Sequence, residues 1–438
     1  MSEVMSKSEK PILKSPNTFR ELLDMDNHRV ANGTLPKVQT VNGEVHQAFY
    51  DGDLLKATGL SLTESVHPFL AAMTLTARGD LGEAQETLAQ LDSPDLSEAE
   101  SAEIATEKSR IHGFLGEWQK CIDVSSQQIE RRPTGVTLVT LLMIRAVAHF
   151  EIGNFSACEN DLKKQESLLK LYPNSISAFY HNTLKVRLLA VTERLETGAR
   201  LLTNQWEKVL SNPYKIEDEI LSLLRSEITL RRHQTDLAFN QILGCHHLAL
   251  ALGEDLYVGF SLLELHFTIA DDGFQKFLWQ EFLQNSCGKH VRIRQLFLEA
   301  QNTKSEVSPT GHQLRLAESI SLQQCIDKRA SLKEIAIEQL LGLQSPDLIF
   351  PQHGLFYSLR ARAGHKIESP QILKACSALS QNRLSKASFF QKVWEQNHFS
   401  AHLHDPPVKM LLTRMRQSGI QVRSEKGQIF LANSLVID

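Results

Sequence analysis

The sequence predicts a mostly α protein in which an α-solenoid of helical repeats precedes a small α+β domain at the C-terminal end. Three observations support this prediction. Glycines recur at a 37-residue spacing early in the chain, amphipathic helical patterns fill the middle, and two short strand patterns flank a polar turn near the end. The chain has 438 residues, a length that accommodates about two to four domains.

These patterns divide the chain into four predicted segments. Residues 1–52 contain Pro, Asn and Gly with little periodicity, and we expect them to be partly disordered. Residues 53–300 carry the helical repeats. Residues 301–346 combine a polar loop with a connecting helix pair, and residues 347–438 form the C-terminal domain.

Three glycine turns organise the repeats. Each turn is followed by an amphipathic helix that carries a small residue five positions past the glycine. The three pairs are Gly79 with Ala84, Gly116 with Cys121, and Gly153 with Cys158. A constant period of this length is typical of antiparallel helix pairs stacked as a solenoid.

The third repeat has the clearest pattern, with Ala146, Phe150, Phe155 and Leu162 placed around Gly153. These positions resemble the small, aromatic and packing positions of tetratricopeptide repeats. The period exceeds the common one of about 34 residues, and the usual Trp and Tyr of the first helix are missing, so the repeats are divergent. The resemblance implies that the array binds a protein, a peptide or a small ligand in its concave groove.

Beyond Pro173 the helical pattern continues without a clean period. Amphipathic stretches predict further helices over 175–210, 216–230, 235–252, 256–269 and 274–284. His246 and His247 are neighbours on one of these predicted helices, so we expect only one of the two rings to point inward. A polar stretch over 301–311 predicts a loop or hinge, and residues 314–343 predict one more helix pair.

The last ninety or so residues follow a different order of elements. Helical spacing predicts one helix over 370–381 and a second that starts at Ser385. After a polar loop over 397–404, Asp405 is expected to cap a third helix that holds two prolines in its first turn and ends at Gly419.

The third helix and the segment after it complete the pattern. The inward stripe of this helix is Val408, Leu411, Leu412 and Met415. Strand patterns over 420–423 and 428–431 flank a polar turn and predict a β-hairpin. Two helices, a basic helix and a hairpin make up a winged helix-turn-helix.

In its sequence and order of elements, this domain resembles the OmpR/PhoB-type effector domain of bacterial response regulators. The resemblance rests on Val393-Trp394 at the end of the second helix, Arg414-Met415-Arg416 at the end of the third, and Gly427 with Phe430 in the hairpin. Residues 348–357 would supply the strands that precede the helices in that family. The resemblance implies that the third helix and the hairpin bind DNA.

The charge distribution supports this interpretation. From Leu355 to the end there are twelve basic and five acidic residues, a net +7, which leaves −11 for the rest of a chain whose total is −4. A basic module on an acidic body is typical of nucleic-acid binding, because phosphate contacts supply most non-specific affinity. The expected DNA contacts are Lys409, Thr413, Arg414, Arg416 and Gln417 on the third helix and Arg423 and Lys426 on the hairpin.

Other classes of protein find little support in the sequence. There is no apolar run of roughly 18 residues and no apolar N-terminal signal region, so we expect a cytoplasmic protein with no membrane partner. The six cysteines form no Cys-x-x-Cys pair and are expected to be buried thiols. No nucleotide-binding or hydrolytic motif occurs, so neither an enzyme nor a cofactor is predicted.

The histidines His398, His402 and His404 lie in the loop before the third helix. Together with Asp405 they are residue types that bind zinc, but we interpret them as exposed loop groups and predict no metal site. In the resembling family this loop is a candidate contact surface for RNA polymerase, which the resemblance carries over to these three residues.

Two functions follow from this architecture. The first is a transcriptional regulator whose repeats sense a protein, peptide or small ligand and whose winged helix binds DNA. The alternative is a helical-repeat scaffold subunit of PCI-like architecture, in which the winged helix docks on other proteins. Pro406, Pro407 and Leu411 favour the alternative, because they stand where the response-regulator family often carries polar or basic residues.

Overall fold

The structure is a computed structural model that describes residues 41–50, 54–63, 66–93, 95–133, 135–171, 176–192, 194–209, 235–268, 272–301, 346–351, 354–358, 363–380 and 383–436. These residues are mostly helical, with a few short strands, as predicted. They form two compact units. Unit 1 contains the described residues up to Gly198 together with Lys289–Leu298, and unit 2 contains the other described residues.

Fourteen α-helices precede the first strand in the described part of the chain, with one 3-10 helix, Ser286–Lys289, between the last two. They are α1 Val41–Tyr50, α2 Leu54–Thr63, α3 Pro68–Arg78, α4 Leu81–Ala89, α5 Glu98–Phe114, α6 Trp118–Glu130, α7 Gly135–Glu151, α8 Phe155–Leu169, α9 Ile176–Val191, α10 Leu195–Val209, α11 Thr235–Leu252, α12 Asp255–Thr268, α13 Asp272–Gln284 and α14 Val291–Gln301. None of the described helices combines the length and the apolar content that crossing a bilayer requires.

The three predicted glycine turns are confirmed. Gly79, Gly116 and Gly153 have φ values of +80°, +75° and +77°, in the left-handed region where glycine is favoured. At each turn the next residue donates its N–H to the carbonyl five positions back. These bonds are Asp80 to Leu75 and Glu117 to His112, both 2.9 Å, and Asn154 to His149, 2.8 Å. This is the bond that closes a Schellman-type helix end.

The same bond recurs beyond Pro173, where the sequence shows no clean period. Arg194 donates to Leu189 and Glu254 donates to Ala249, both at 2.9 Å. The first of these turns explains why the single stretch predicted over 175–210 is two helices, α9 and α10. The sequence has Glu193 where the earlier turns have glycine, so the pattern that identified them is missing.

Small buried residues pack the helix pairs, as predicted. Ala84, Cys121 and Cys158 are at most 1% exposed. Five of the six cysteines are buried free thiols, and Cys325 lies outside the described residues. Burial raises the pKa of the Cys121 and Cys158 thiols to about 12, so both stay protonated at neutral pH.

The prediction for the histidine pair on α11 is wrong. His246 and His247 are 5% and 2% exposed, and their rings meet edge to face with centroids 5.4 Å apart. His246 is accommodated because its Nδ1 lies 3.0 Å from the Ser261 hydroxyl of α12. The predicted helix over 216–230, the helix pair over 314–343 and the loop over 301–311 after its first residue lie outside the described residues, and that first residue, Gln301, ends α14.

Buried polar side chains connect neighbouring helices of unit 1. Arg145 of α7 forms a bidentate pair with Asp161 of α8, with both N···O distances 2.7 Å, and also donates to the Ser126 hydroxyl of α6. In a second connection, Gln165 of α8 donates to the Val139 carbonyl and accepts from Nδ1 of His181 on α9, at 2.7 Å. These bonds fix which helix faces pack together.

His181 should make the stability of unit 1 depend on pH. Burial, and secondarily the charge of Lys185, lowers the pKa of His181 to about 4. A histidine whose folded-state pKa is lowered contributes its full stability above the unfolded value of about 6.5, and this contribution is lost as the pH falls towards 4. When the pH falls from 7 to 5, we expect this histidine to lower the free energy of unfolding by roughly 2 kcal/mol.

Urea denaturation at pH 7 and pH 5 tests this effect when wild type is compared with His181→Gln. Glutamine does not titrate, so the variant should lose about 2 kcal/mol less of its unfolding free energy over this interval. An equal loss in both proteins would assign the pH dependence to other groups.

The C-terminal part of unit 2 contains seven strands and three helices in the described residues. They are β1 Asp347–Phe350, β2 Leu355–Ser358, β3 Ala363–Lys366, α15 Pro370–Leu379, β4 Leu384–Ser385, α16 Lys386–Trp394, α17 Ala401–Gln417, β5 Val422–Glu425, β6 Gln428–Leu431 and β7 Ser434–Val436. The predicted first two helices, the preceding strands and the hairpin are all present, whereas β3, β4 and β7 are not among the predicted elements.

The strands form two small sheets. One has the order β3-β2-β1-β7, with β7 parallel to β1 and the other pairs antiparallel, and the other has the antiparallel order β4-β6-β5. A single core joins both sheets to the three helices. Its buried members include Ile349 of β1, Cys376 of α15, Phe390 of α16, Leu412 of α17 and Ile429 of β6. This shared core holds α17 and the β5–β6 hairpin in a fixed arrangement.

Candidate nucleic-acid interface

Helix α17 starts earlier than the sequence predicts. It begins at Ala401 after the N-cap residue Ser400, so Asp405 is not the cap, and Pro406 and Pro407 lie inside the helix. Neither proline has an N–H, so two bonds of the ordinary helical ladder are missing there. The first turn nevertheless forms, because tertiary contacts outweigh the local signals.

These contacts come from α16 and from the loop that follows it. The His404 ring stacks on Phe390, with centroids 4.1 Å apart and planes 15° apart, and Phe399 packs edge to face on the same ring. His404 also accepts the Ser400 N–H through Nδ1 at 2.8 Å. Asp405 accepts from Lys386 at 2.8 Å, and this hydrogen bond lowers the pKa of Asp405.

The predicted histidine loop is therefore shorter than expected. His398 lies in the loop and is exposed, whereas His402 and His404 belong to the first turns of α17. His404 is half-buried in the aromatic cluster, which gives it a packing role. Among the described residues, no group of three or more His, Cys, Asp and Glu is placed to hold a metal ion.

The inward stripe of α17 is confirmed. Val408, Leu411, Leu412 and Met415 are at most 4% exposed and belong to the shared core. The C-terminal end is also where the sequence places it, since Gly419 has φ +80° and Ile420 donates to the Met415 carbonyl at 3.0 Å. The buried stripe determines which side chains face outward.

The outermost line of the helix follows from the i, i+3, i+7 spacing and lies opposite this stripe. It consists of Leu403, Pro406, Met410, Thr413 and Gln417, all of them exposed. Leu403 is 71% and Met410 53% exposed, values that are high for large apolar side chains. The N-terminal half of the outer line is thus apolar, and the C-terminal half is polar.

Basic side chains flank this line. Lys409 and Arg414 are exposed and lie roughly 140° apart around the helix axis, at about 100° per residue, on opposite sides of the outer line. Neither has an ion-pair partner within the described residues. Thr413 donates its hydroxyl to the Lys409 carbonyl at 3.0 Å, which leaves the hydroxyl oxygen as an acceptor.

Arg416 is exposed, but its Nε donates to the Val422 carbonyl at 3.1 Å. This bond ties the end of α17 to strand β5. The residue predicted to hold a phosphate therefore also positions the hairpin, and only its terminal nitrogens are available for another partner.

The hairpin turn contains two residues, fewer than the polar stretch 424–427 suggests. Glu425 pairs directly with Gln428, so Lys426 and Gly427 alone form the turn, with φ +49° and +77°. Two consecutive positive φ values are those of a type I′ turn, whose twist matches that of antiparallel strands. The Lys426 side chain is exposed at the tip, and the exposed Arg423 lies 3.8 Å from Glu425.

One basic residue of this surface was missed by sequence reasoning. The Arg383 guanidinium lies 4.2 Å from the centroid of Phe430 on β6, and strand β4, which starts at the next residue, pairs with β6. Such a contact is a cation–π interaction. The only signal in the sequence is a basic residue directly before a two-residue strand, which is too short to recognise.

No family model, curated protein or solved structure matches this chain. The geometry and charge of the surface are therefore the basis for assigning a function. The described residues from Arg383 to Val436 contain eight basic and three acidic residues. All three acids are paired, Asp405 with Lys386, Glu395 with Lys374 and Glu425 with Arg423, and the hydrogen bond from Lys374 lowers the pKa of Glu395.

Proposed function

We propose that this protein is a DNA-binding transcriptional regulator whose C-terminal domain is a winged helix and whose helical repeats form a tetratricopeptide-like array that senses a partner. The order helix, short strand, helix, helix, hairpin supports the winged helix. The observation that carries DNA binding is the pair Lys409 and Arg414, which flank the exposed face of α17 and form no ion pair with another described residue.

In this proposal α17 lies in the major groove, which is wide enough to admit a helix. Lys409 and Arg414 contact phosphates on the two sides of the groove, while Thr413 and Gln417 face the bases. Lys426 at the hairpin tip and Arg383 beside Phe430 contact the neighbouring backbone. Arg423 joins them, and Arg416 positions the hairpin for these contacts.

The repeats receive the signal in this proposal. The sequence contains no nucleotide-binding motif. In this proposal, activation therefore depends on a protein, peptide or small ligand bound by the array. RNA polymerase is a further proposed partner. Of the three histidines assigned to its contact, His398 in the loop and His402 at the start of α17 are exposed.

The test is fluorescence anisotropy of the full chain with a 30-base-pair duplex of mixed sequence, across 50 to 300 mM KCl. We expect the logarithm of the association constant to fall linearly with the logarithm of the salt concentration, with a slope of about −0.9 per phosphate contact. Absence of binding at 50 mM KCl would overturn the proposal.

A second candidate function is that of a scaffold subunit whose winged helix docks on another protein. The exposed Leu403 and Met410 favour it, because apolar side chains on an exposed helix face are common in protein interfaces. The same titration separates the two functions. A Leu403→Ser/Met410→Ser variant that keeps the DNA affinity and salt slope of wild type would show that this apolar line does not contribute to DNA binding, as a protein-docking role requires.

A further inference from the structure

A short basic segment of unit 1 comes from far along the chain. Residues Lys289–Leu298 belong to unit 1, although the described residues on both sides of them belong to unit 2. The segment contains Lys289, His290, Arg292 and Arg294 within six positions. It lies against the repeat turns at Gly79 and Gly116 and against the end of α7, directly before the turn at Gly153.

The first contact is with the turn at Gly79. Lys289 Nζ lies 3.0 Å from Oδ1 and 3.1 Å from Oδ2 of Asp80, which is 209 residues away in the sequence. The His290 ring packs closely against the turn, since a Cβ atom added to Gly79 would lie 2.7 Å from its Cε1 and Nδ1. His290 is 2% exposed, and its buried Nε2 has no hydrogen-bond partner in the described part of the chain.

The second contact is with the turn at Gly116. A Cβ atom added there would lie 3.1 Å from both Cδ of Arg292 and Oε1 of Gln295, so the glycine leaves room for these two side chains, which would otherwise have to shift by a few tenths of an ångström. The Arg292 guanidinium lies 5.8 Å from the centroid of Trp118, at the start of α6. It also lies 3.9 Å from the carboxylate of Glu151, the last residue of α7, and both side chains are largely buried.

The two glycines therefore have a second role. A helix end needs a residue that tolerates positive φ, which glycine satisfies, but the same glycines also leave room for the His290 ring and the Arg292 side chain. Acidic groups stand beside both openings, Asp80 at the first and Glu151 at the second. Together they match a basic segment in shape and charge.

We propose that this row of turns, defined by Gly79-Asp80, Gly116 and Glu151, is a docking site for a basic helical segment of a partner protein, and that Lys289–Leu298 occupies the site as an intramolecular competitor. The partner segment carries a basic residue, a flat ring and an arginine in the order Lys-His-x-Arg. This inference depends on the partner-sensing role proposed for the repeats and is independent of DNA binding.

The physical reason for displacement is the nature of the contacts. At the turns they are ion pairs and side-chain packing, and the segment also buries Ile293, Leu296 and Phe297 completely. A competing segment replaces these contacts only if it carries apolar side chains at the same positions beside its basic residues. A tethered segment competes at an effective concentration in the millimolar range, so a partner binds weakly until the tethered segment is released. Substitutions that weaken the contacts of Lys289–Leu298 with the turns should therefore expose the docking site.

The experiment measures binding of a fluorescein-labelled peptide of residues 286–301, with serine in place of Cys287, to the full chain. Lys289→Glu/Arg292→Glu is expected to bind the peptide at least tenfold more tightly than wild type, because its own segment no longer competes. Adding Asp80→Lys to this variant should remove the gain. The control Lys163→Glu/Lys164→Glu reverses two exposed charges on α8 of the same unit and should behave as wild type.

Circular dichroism establishes that each variant folds. A second measurement on the wild-type chain needs no substitution, since excess peptide should increase hydrogen exchange of residues 289–298. A folded double variant without tighter binding, a gain that survives Asp80→Lys, or unchanged exchange in wild type would each overturn the inference. None of these outcomes bears on the DNA titration, so the two proposals fail separately.

Discussion

Replacing Lys409, Arg414 and Lys426 together with alanine is expected to lower the affinity of the full chain for mixed-sequence duplex DNA by on the order of 100-fold at 100 mM KCl. These three side chains are exposed, and in the described part of the chain none has an ion-pair partner. Each is proposed to contact one phosphate. Loss of three phosphate contacts should reduce the slope of log affinity against log salt by about 3.

The measurement is the same anisotropy titration, with a matched control in unit 1. Lys163, Lys164 and Lys170 are exposed on or next to α8, and their replacement by alanine removes the same charge far along the chain from α17. Arg416 stays unchanged, since its bond to Val422 positions the hairpin. Equal losses in the two triple variants would mean that net charge, and not this surface, determines binding.

The largest expected loss of stability follows Arg145→Met. This change leaves the Asp161 carboxylate, whose side chain is 4% exposed, without its bidentate partner, and it also removes the donor to Ser126. Removing one member of a buried ion pair costs about 3–5 kcal/mol, because the remaining charge stays buried and uncompensated. Chemical denaturation followed by circular dichroism should show this loss in the unfolding free energy.

The double variant Arg145→Met/Asp161→Leu separates charge from packing. Apolar side chains of similar size often replace a buried ion pair at little cost, so the double variant should recover most of the lost stability. If it is as unstable as Arg145→Met, the loss comes from packing or from Ser126. If Arg145→Met itself loses less than about 1 kcal/mol, water reaches the pair in solution.

Much of the local structure of this chain was predictable. The turns at Gly79, Gly116 and Gly153, the hairpin and the buried stripe of α17 were all identified, because each depends on a special φ value or on apolar spacing within one element. Strand β4 was missed for the converse reason. Two residues carry no recognisable period, and only the pairing of Leu384 with Ile429 makes them a strand.

The candidate DNA surface shows the same division. The outward positions of Lys409, Thr413, Arg414 and Gln417 follow from the buried stripe and were predictable. The structural bond of Arg416 and the position of Arg383 over Phe430 were not, since each depends on a residue of the hairpin sheet. The function of these residues is still a proposal, which the titrations test.

The sequence by itself determined the three glycine turns between paired helices, the buried stripe of α17 and where the positive charge lies, because these depend on neighbours within a few turns of helix or one hairpin. Only the tertiary structure decided that α17 starts at Ala401, that both His246 and His247 are buried, and that Lys289 reaches Asp80. The physical reason is that each of these depends on contacts with other elements, such as the Phe390 ring, the Ser261 hydroxyl or a turn 209 residues away, whose energies outweigh local preference.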